Sequence, residues 1–267
     1  MSIETLTQGP ARRIRALSSA EMRLLWRNKT AIFTALAMPV GMVLILLPTG
    51  IQDDAGGGLG PFVVATLIGF TLLFVVYYNL VTAYVARREE LVLKRLRVGE
   101  ASDREVLLGM ATPAIALGTA QVALGIVAAM AFLDLGRPVN PIFVLLAVAG
   151  GAAVFTLLAA ASTPFTRSVE LAQVTTLPVA VVGMLFSGLL FPLDALPTAA
   201  EQAARLLPLT PVVELTNLGL RGSTGDLAPV GFAASFTEAI VPLAVLAAWI
   251  VVGRYGVRRW FRWEPRA

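Results

Sequence analysis

Between Pro61 and Ala86 the chain carries not one Asp, Glu, Lys or Arg. At about 1.5 Å per residue such a stretch outspans the ~30 Å hydrocarbon core of a bilayer. Inside that core no water pairs with backbone N–H and C=O groups, so the stretch has to be helical. Five further apolar runs follow the same logic: 30–48, which contains Pro39, then 107–133, 141–163, 171–193 and 234–253. Composition agrees, because 57% of the 267 residues are hydrophobic and only 14% charged, against about 25% charged in soluble domains. The expectation is an all-α integral membrane protein of six transmembrane helices, with residues 1–267 forming a single transmembrane domain. The sixth run has the least distinct limits.

Charge placement orients it. Of the 21 Lys and Arg residues, all except Arg137, Arg205 and Arg221 fall in the leader, in 87–105, in the 164–170 loop or in the tail from Arg254 onward. Under the positive-inside rule both termini are then cytoplasmic, which agrees with an even number of spans. The leader, 11–29, reads as an N-terminal amphipathic interfacial helix with Ile14, Leu17, Leu24 and Leu25 toward one face and Trp26 at headgroup depth. No cleavable signal peptide is expected, since the first apolar run is long enough to span. Trp260, Phe261 and Trp263 among the tail arginines suit a headgroup belt. The formal charge of +4 and pI of about 10.0 then reflect topology and anionic membrane lipid, not nucleic acid.

Much chemistry is excluded. The chain has no Cys and no His, which removes disulfides, thiolate nucleophiles, imidazole relays and the usual zinc sites, so no metal is expected. Ionisable groups are nearly absent from the spans, with Glu238 at the outer start of the sixth run the one exception, and an ion gradient has few places to act. There is no GxxxxGK[ST] loop for ATP and no HExxH or GxSxG arrangement. No internal repeat is visible, which argues against an inverted-repeat transporter. Energy for active transport would have to arrive from a partner. The segment RREELVLKRLRVGEASDRE, Arg87–Glu105, is suited to receive it. Glu89, Glu90, Lys94, Arg95, Arg97 and Glu105 present both signs of charge, and Leu91, Leu93 and Leu96 present an apolar ridge to plug a groove on a soluble domain. The plainer reading is an ordinary solvated loop.

Two other regions hold candidates. In the external connection 194–233, Pro197 opens a short helix through Arg205, and Pro208 and Pro211 bracket a second that ends at Gly222. This segment is apolar enough to dip back toward the membrane, where irregular backbone survives only under a cover of protein or beside a water-filled cavity. Inside the spans polar groups are few. Asn79 and Gln121 need partners and so should face protein. Tyr78, Asn79, Thr82, Thr175 and Thr176 are substrate-path candidates, with structural glue as the alternative. Ala37 and Gly41, and Gly183 and Ser187, set small residues four apart, which permits close helix approach within the chain or between copies. A pathway so poor in charge favours a hydrophobic, amphipathic or lipid-linked cargo over an inorganic ion.

The charged segment resembles the cytoplasmic loop of type-2 ATP-binding-cassette (ABC) exporter permeases, which reads E-R-E-x-G-x-x-K-R-L-R-x-T-P-x-S-R-x-E. Glu89, Lys94, Arg95, Leu96, Arg97, Ser102 and Glu105 fall on that pattern; Leu91 stands in place of Gly, and Gly99-Glu100 in place of Thr-Pro. Phe191, Pro192, Leu196 and Pro197, followed by Leu207, Pro208, Leu209, Thr210 and Glu214, are similar to the family's segment beyond the fifth span. The tail from Phe261 to Arg266 is similar to endings found in the family, so the resemblance covers nearly the whole chain. It implies six helices with both ends inside, an elbow helix in the interface, and short re-entrant helices between spans five and six at the outer mouth, built on Phe191, Pro192, Pro197, Pro208 and Glu214. It also implies a permease dimer, of two copies or of one copy with a related permease, with spans one and five (Ala37, Gly41, Gly183, Ser187) lining the seam. Two cytoplasmic ABC ATPase subunits would complete the assembly. ATP and Mg would sit on those subunits, with no cofactor and no catalytic residue in this chain. Glu89, Glu90, Lys94, Arg95, Leu96, Arg97 and Glu105 would transmit ATPase closure. The expected function is export of a hydrophobic or amphipathic small molecule, such as a drug or antibiotic, across a bacterial plasma membrane. A lipid or lipid-linked glycan is the second cargo, and a membrane scaffold without transport activity is the reading from another class.

Overall fold

The computed structural model describes residues 10–27, 29–49, 58–93, 96, 102–133, 135–224, 229–261 and 263, and among them every regular element is helical. The helices are α1 (Pro10–Arg27), α2 (Lys29–Leu46), α3 (Leu59–Glu89), α4 (Asp103–Phe132) and α5 (Pro141–Ser162), followed by α6 (Ala172–Phe186). Two short helices come next, α7 (Thr198–Arg205) and α8 (Thr210–Arg221), then α9 (Phe232–Glu238) and α10 (Ile240–Trp260). Among the described residues four helices are long and apolar enough to cross a membrane: α3, α4, α5 with its extension to Phe165, and α10. α6 and the Ala35–Leu46 part of α2 are shorter apolar helices.

α3 is the axis of the bundle. Of its most apolar window 83% is buried, against 22% in α4 and in α10, so α3 is wrapped by protein where the others face outward. A helix that is apolar on every side belongs in such a place. Its middle, Thr71–Tyr78, is wound as a π-helix, a form common near functional sites. Tyr77 there meets Phe155 edge-on and its hydroxyl pairs with Ser162 Oγ at 2.9 Å. Small residues bring the neighbours close. A β-carbon at Gly118 of α4 would lie 2.9 Å from Thr71 Cγ2, and one at Gly151 of α5 would lie 2.5 Å from Leu72 Cδ1.

One end of the bundle gathers α1, the start of α4 and the ends of α3, α5 and α10, as the contacts below show. α1 lies on α4, with Leu17 over Gly109. Ile14, Leu17 and Leu25 are half-buried there as the amphipathic pattern requires, but Leu24 points away and is exposed, as is Trp26. The other end gathers the starts of α3 and α5 with α7–α9. Asn140 joins them, its N–H on Gly219 O at 2.9 Å and its Nδ2 on Ser235 Oγ at 3.1 Å.

Two runs differ from expectation. Run 171–193 is not one helix, because α6 stops at Phe186 and Gly188 turns the chain with φ +79 before Pro192. The sixth run breaks at Ala239 between α9 and α10, and Pro242 falls in the first turn of α10, where its missing N–H costs nothing. α10 then continues to Trp260, carrying exposed Arg254, Arg258 and Arg259. α7 and α8 fall where the prolines set them, and α8 ends at Gly222 (φ +74), whose N–H bonds Leu218 O at 3.0 Å.

Candidate functional site

At the first end, two adjacent arginines close the last turn of α3. Arg87 forks onto Glu21 of α1, Nε to Oε1 at 2.9 Å and Nη2 to Oε2 at 3.1 Å, while Nη1 donates to Glu90 Oε2 at 2.6 Å. Arg88 is buried, 1% exposed, and turns the other way. Its Nη1 donates to Thr163 O at 2.8 Å, and its Nη2 to Thr166 O at 2.6 Å and Arg167 O at 3.4 Å. Carbonyls at a helix end lack intrahelical partners and carry the negative pole of the helix, so a guanidinium fork satisfies both needs. A third tie joins α1 to α4, Arg13 Nη2 on Glu105 Oε1 at 3.2 Å. Glu105 also accepts the Ser102 N–H at 2.7 Å, and its own N–H reaches Ser102 Oγ at 3.4 Å, the capping box that Ser-Asp-Arg-Glu encodes. The tail closes the cluster. Buried Tyr84 donates to Leu107 O at 3.1 Å and meets Phe261 edge-on, and Phe261 in turn meets Trp263.

Several expected placements change here. Leu93 is fully buried and Leu96 is half-buried against the core, so of the apolar ridge proposed for a partner's groove Leu93 is turned inside the chain while Leu91 stays exposed. Glu89, Glu90 and Leu91 are exposed. Glu105 is buried in its cap and ion pair. Lys94, Arg95 and Arg97 lie outside the described residues. Trp263 is only 9% exposed, so it belongs to the protein interior and not to a headgroup belt; Trp260 remains exposed. Arg13, Glu21, Arg87 and Arg88 were not singled out from sequence. One signal was present for Arg88, which falls four residues after Tyr84 on the stripe that also carries Tyr77 and Val81.

The substrate-path candidates lie on two helices. On α3 the half-buried positions are Phe74, Tyr78, Asn79, Thr82, Ala83 and Ala86, an otherwise uncovered stripe at helical spacing that leads to Arg87. Tyr78, Asn79 and Thr82 are therefore neighbours on one face, and Thr82 Oγ1 donates back to Tyr78 O at 3.0 Å. On α6, Thr175 is half-buried and Thr176 buried, with hydroxyls bonded to Leu171 O at 3.0 Å and Ala172 O at 2.8 Å. Gln121 Nε2 donates to Leu36 O at 3.4 Å, while its buried Oε1 has no hydrogen-bond partner. Of the small-residue pairs, Gly41 opens onto empty space and Ala37 is half-buried, but Gly183 faces Leu73 and Leu209 and Ser187 is fully buried. The outward surface of α6 is instead Val174, Leu177, Val181 and Leu185.

At the opposite end lies a cavity of about 300 Å³ between the start of α3, the turn after α6, and α7–α8. Phe191 and Pro192 belong to its wall, while Pro197 and Pro208 shape the approach to α7 and α8. Arg205 spans its edge, Nε and Nη2 on Glu201 Oε1 at 3.1 and 2.9 Å and Nη1 on Glu214 Oε1 at 2.9 Å. Burial pushes the Glu214 carboxyl up to about 7, with Arg205 pulling the other way. Trp249 Nε1 donates to Leu206 O at 2.8 Å and staples this corner to α10.

No curated protein sequence matches the chain. A family model does, the one described as ABC-2 type transporter, over residues 12–218, from α1 into α8. Four helices of spanning length and a central buried helix are consistent with that match. The chain therefore belongs to the ABC-2 type transporter family: it is a multi-pass membrane permease of an ABC transporter, a transport component that associates with ABC ATPase subunits and is not itself catalytic.

Proposed function

We propose that this chain is one half of the permease dimer of an ATP-driven exporter in a bacterial plasma membrane, with α2, α3, α4, α5, α6 and α10 as six spans and both termini in the cytoplasm. The cargo is a hydrophobic or amphipathic small molecule. Two ATPase subunits carry ATP and Mg and bear on the Glu89–Arg97 segment, with Glu89, Glu90, Lys94, Arg95, Leu96 and Arg97 as the contact group and Glu105 as its brace. The observation that carries this reading is the double tie at Arg87 and Arg88, which joins the end of the axial helix to α1 on one side and to the 163–167 turn on the other. A push on the residues just beyond them reaches α1, α3 and the α5–α6 connection together. The partly uncovered Tyr78–Asn79–Thr82 stripe, next along the same helix, serves as the cargo face. The second permease covers the apolar outward faces of α2 and α6, where Gly41 leaves room for close approach.

The ATPase that co-purifies with the chain provides the test, after reconstitution of the complex in vesicles. Glu89→Ala and Arg97→Ala are expected to leave ATP hydrolysis running while ATP-driven export of an amphipathic dye falls by tenfold or more. Unchanged export in both variants, or dye export without the ATPase, rejects the reading.

A further inference from the structure

The cavity opposite the arginine pair has a second property. Its apolar wall comes from Pro61, Phe62 and Ala65 of α3 together with Leu189 and Val213. Its polar wall holds Ser187, Glu214 and Asn217, and these are the groups with capacity to spare. Ser187 is fully buried and its Oγ has no hydrogen-bond partner. Glu214 uses Oε1 for Arg205 and leaves Oε2 without a donor among the described residues. The Asn217 carboxamide makes no hydrogen bond to the described residues. Of the cations around it, Arg205 spends all three nitrogens on Glu201 and Glu214, and Arg221, at the rim beside Asp194, is engaged in interactions of its own but keeps one buried N–H, at Nε, outside its hydrogen bonds; Asp194 is engaged as well. No charged side chain enters from α3 or from the turn 187–191. What remains, beside that one N–H, is the free Glu214 oxygen with the Ser187 hydroxyl and the Asn217 carboxamide, which can each accept as well as donate, facing a greasy wall. A buried hydroxyl and a half-used carboxylate are costly to leave unpaired, and a donor that fills them recovers that cost.

We propose that this cavity binds a cationic amphiphile, its protonated amine donating to Glu214 Oε2, Ser187 Oγ and the Asn217 carbonyl while its apolar body lies along Phe62, Ala65 and Leu189. The volume is at the small end of ligand pockets, enough for an amine head and the first ring or chain segment of a larger molecule. As a cargo site it rests on the exporter reading above; as a binding site it stands alone. The binding has a proton signature. An amine with a pKa near 10 stays charged between pH 6 and 8, whereas Glu214 has to lose its proton to receive it. Affinity therefore rises as pH rises through about 7, by about tenfold from pH 6 to pH 8. An anionic ligand held by the arginines has the opposite slope.

Dansylcadaverine, a fluorescent primary amine, serves as the probe, with its neutral N-acetyl derivative as control. Binding is read by fluorescence anisotropy on the full chain in nanodiscs of neutral phosphatidylcholine, with no ATPase and no nucleotide. Saturable binding is expected that tightens about tenfold between pH 6 and 8, with N-acetyl probe weaker and flat across pH. Glu214→Gln is expected to lose the pH slope and most of the affinity. Should that variant fold poorly, Ser187→Ala decides. It removes a buried unpaired hydroxyl, so it keeps or raises thermal stability while weakening the amine several-fold. Equal binding of both probes, a flat pH profile in the unaltered chain, or unchanged affinity in Ser187→Ala overturns the proposal, as does a dansylated carboxylate that binds tighter than the amine. If the amine binds as described but is not exported by the complex with ATP, the binding site stands and the cargo reading falls.

Discussion

Arg88 and Leu91 lie three residues apart and show how much a single side chain decides here. Arg88 holds the carbonyls of Thr163 and Thr166 inside the protein, where water cannot replace it. Arg88→Met keeps the stem and removes the donors, and is expected to cost about 2–4 kcal/mol of stability, read as a lowered unfolding midpoint in detergent. Leu91 is strained in a different way. It follows the last turn of α3 with φ +58, its N–H on Arg88 O at 3.1 Å, a left-handed position that glycine fills at no steric cost. The family pattern has Gly at this place, and Leu91→Gly is expected to stabilise the chain by about 0.5–1 kcal/mol. An unchanged or lower midpoint would mean that contacts of Leu91 outweigh the strain. The Leu-for-Gly exchange was plain in the sequence, but its conformational meaning was not. Arg88 was harder still, because sequence reports a charge at the end of an apolar run without saying whether it faces solvent or a neighbour's helix end.

Among elements, those punctuated by proline and glycine were the most legible. Pro197, Pro211 and Gly222 mark α7 and α8 almost to the residue, since each acts through its own backbone. Gly222 makes the point measurable. Its φ is +74 and a β-carbon there would meet Val230 O at 2.4 Å, a backbone atom that cannot step aside. Gly222→Ala is expected to destabilise by about 2 kcal/mol or more, whereas Gly41→Ala, which meets nothing within 4 Å, is expected to be neutral or slightly stabilising in thermal unfolding. The end of α6 was not legible. Apolar residues continue to Leu190, and Gly188 looks no different from the glycines that sit inside α3, α4 and α5. α1 was half legible: the amphipathic pattern found Ile14, Leu17 and Leu25, but the phase of Leu24 depended on where Gly109 lets α4 approach.

For the molecule as a whole, the apolar runs were legible in the sequence, but the identity of the central helix was not. α5 is as apolar as α3, yet it is half exposed along its apolar window. Hydropathy measures how a helix dislikes water and is silent on whether lipid or protein takes the water's place. The same silence covers the proposed permease partner, and chemistry of the chain offers a clean test. With no native Cys, single cysteines report without background. Cysteine at Leu177 or Val181, on the outward face of α6, is expected to form a disulfide-linked dimer in membranes under mild oxidant, and cysteine at Leu124 or Phe132 is not; the reverse pattern on a non-reducing gel would move the seam to α4. The wrapped position of α3 has one more consequence. Acyl-chain length acts on a helix through its lipid contacts, by tilt and local thinning. α4 and α10 leave most of their apolar windows exposed while α3 leaves little, so thicker or thinner bilayers are expected to re-tilt the outer helices around an axle that keeps its pitch.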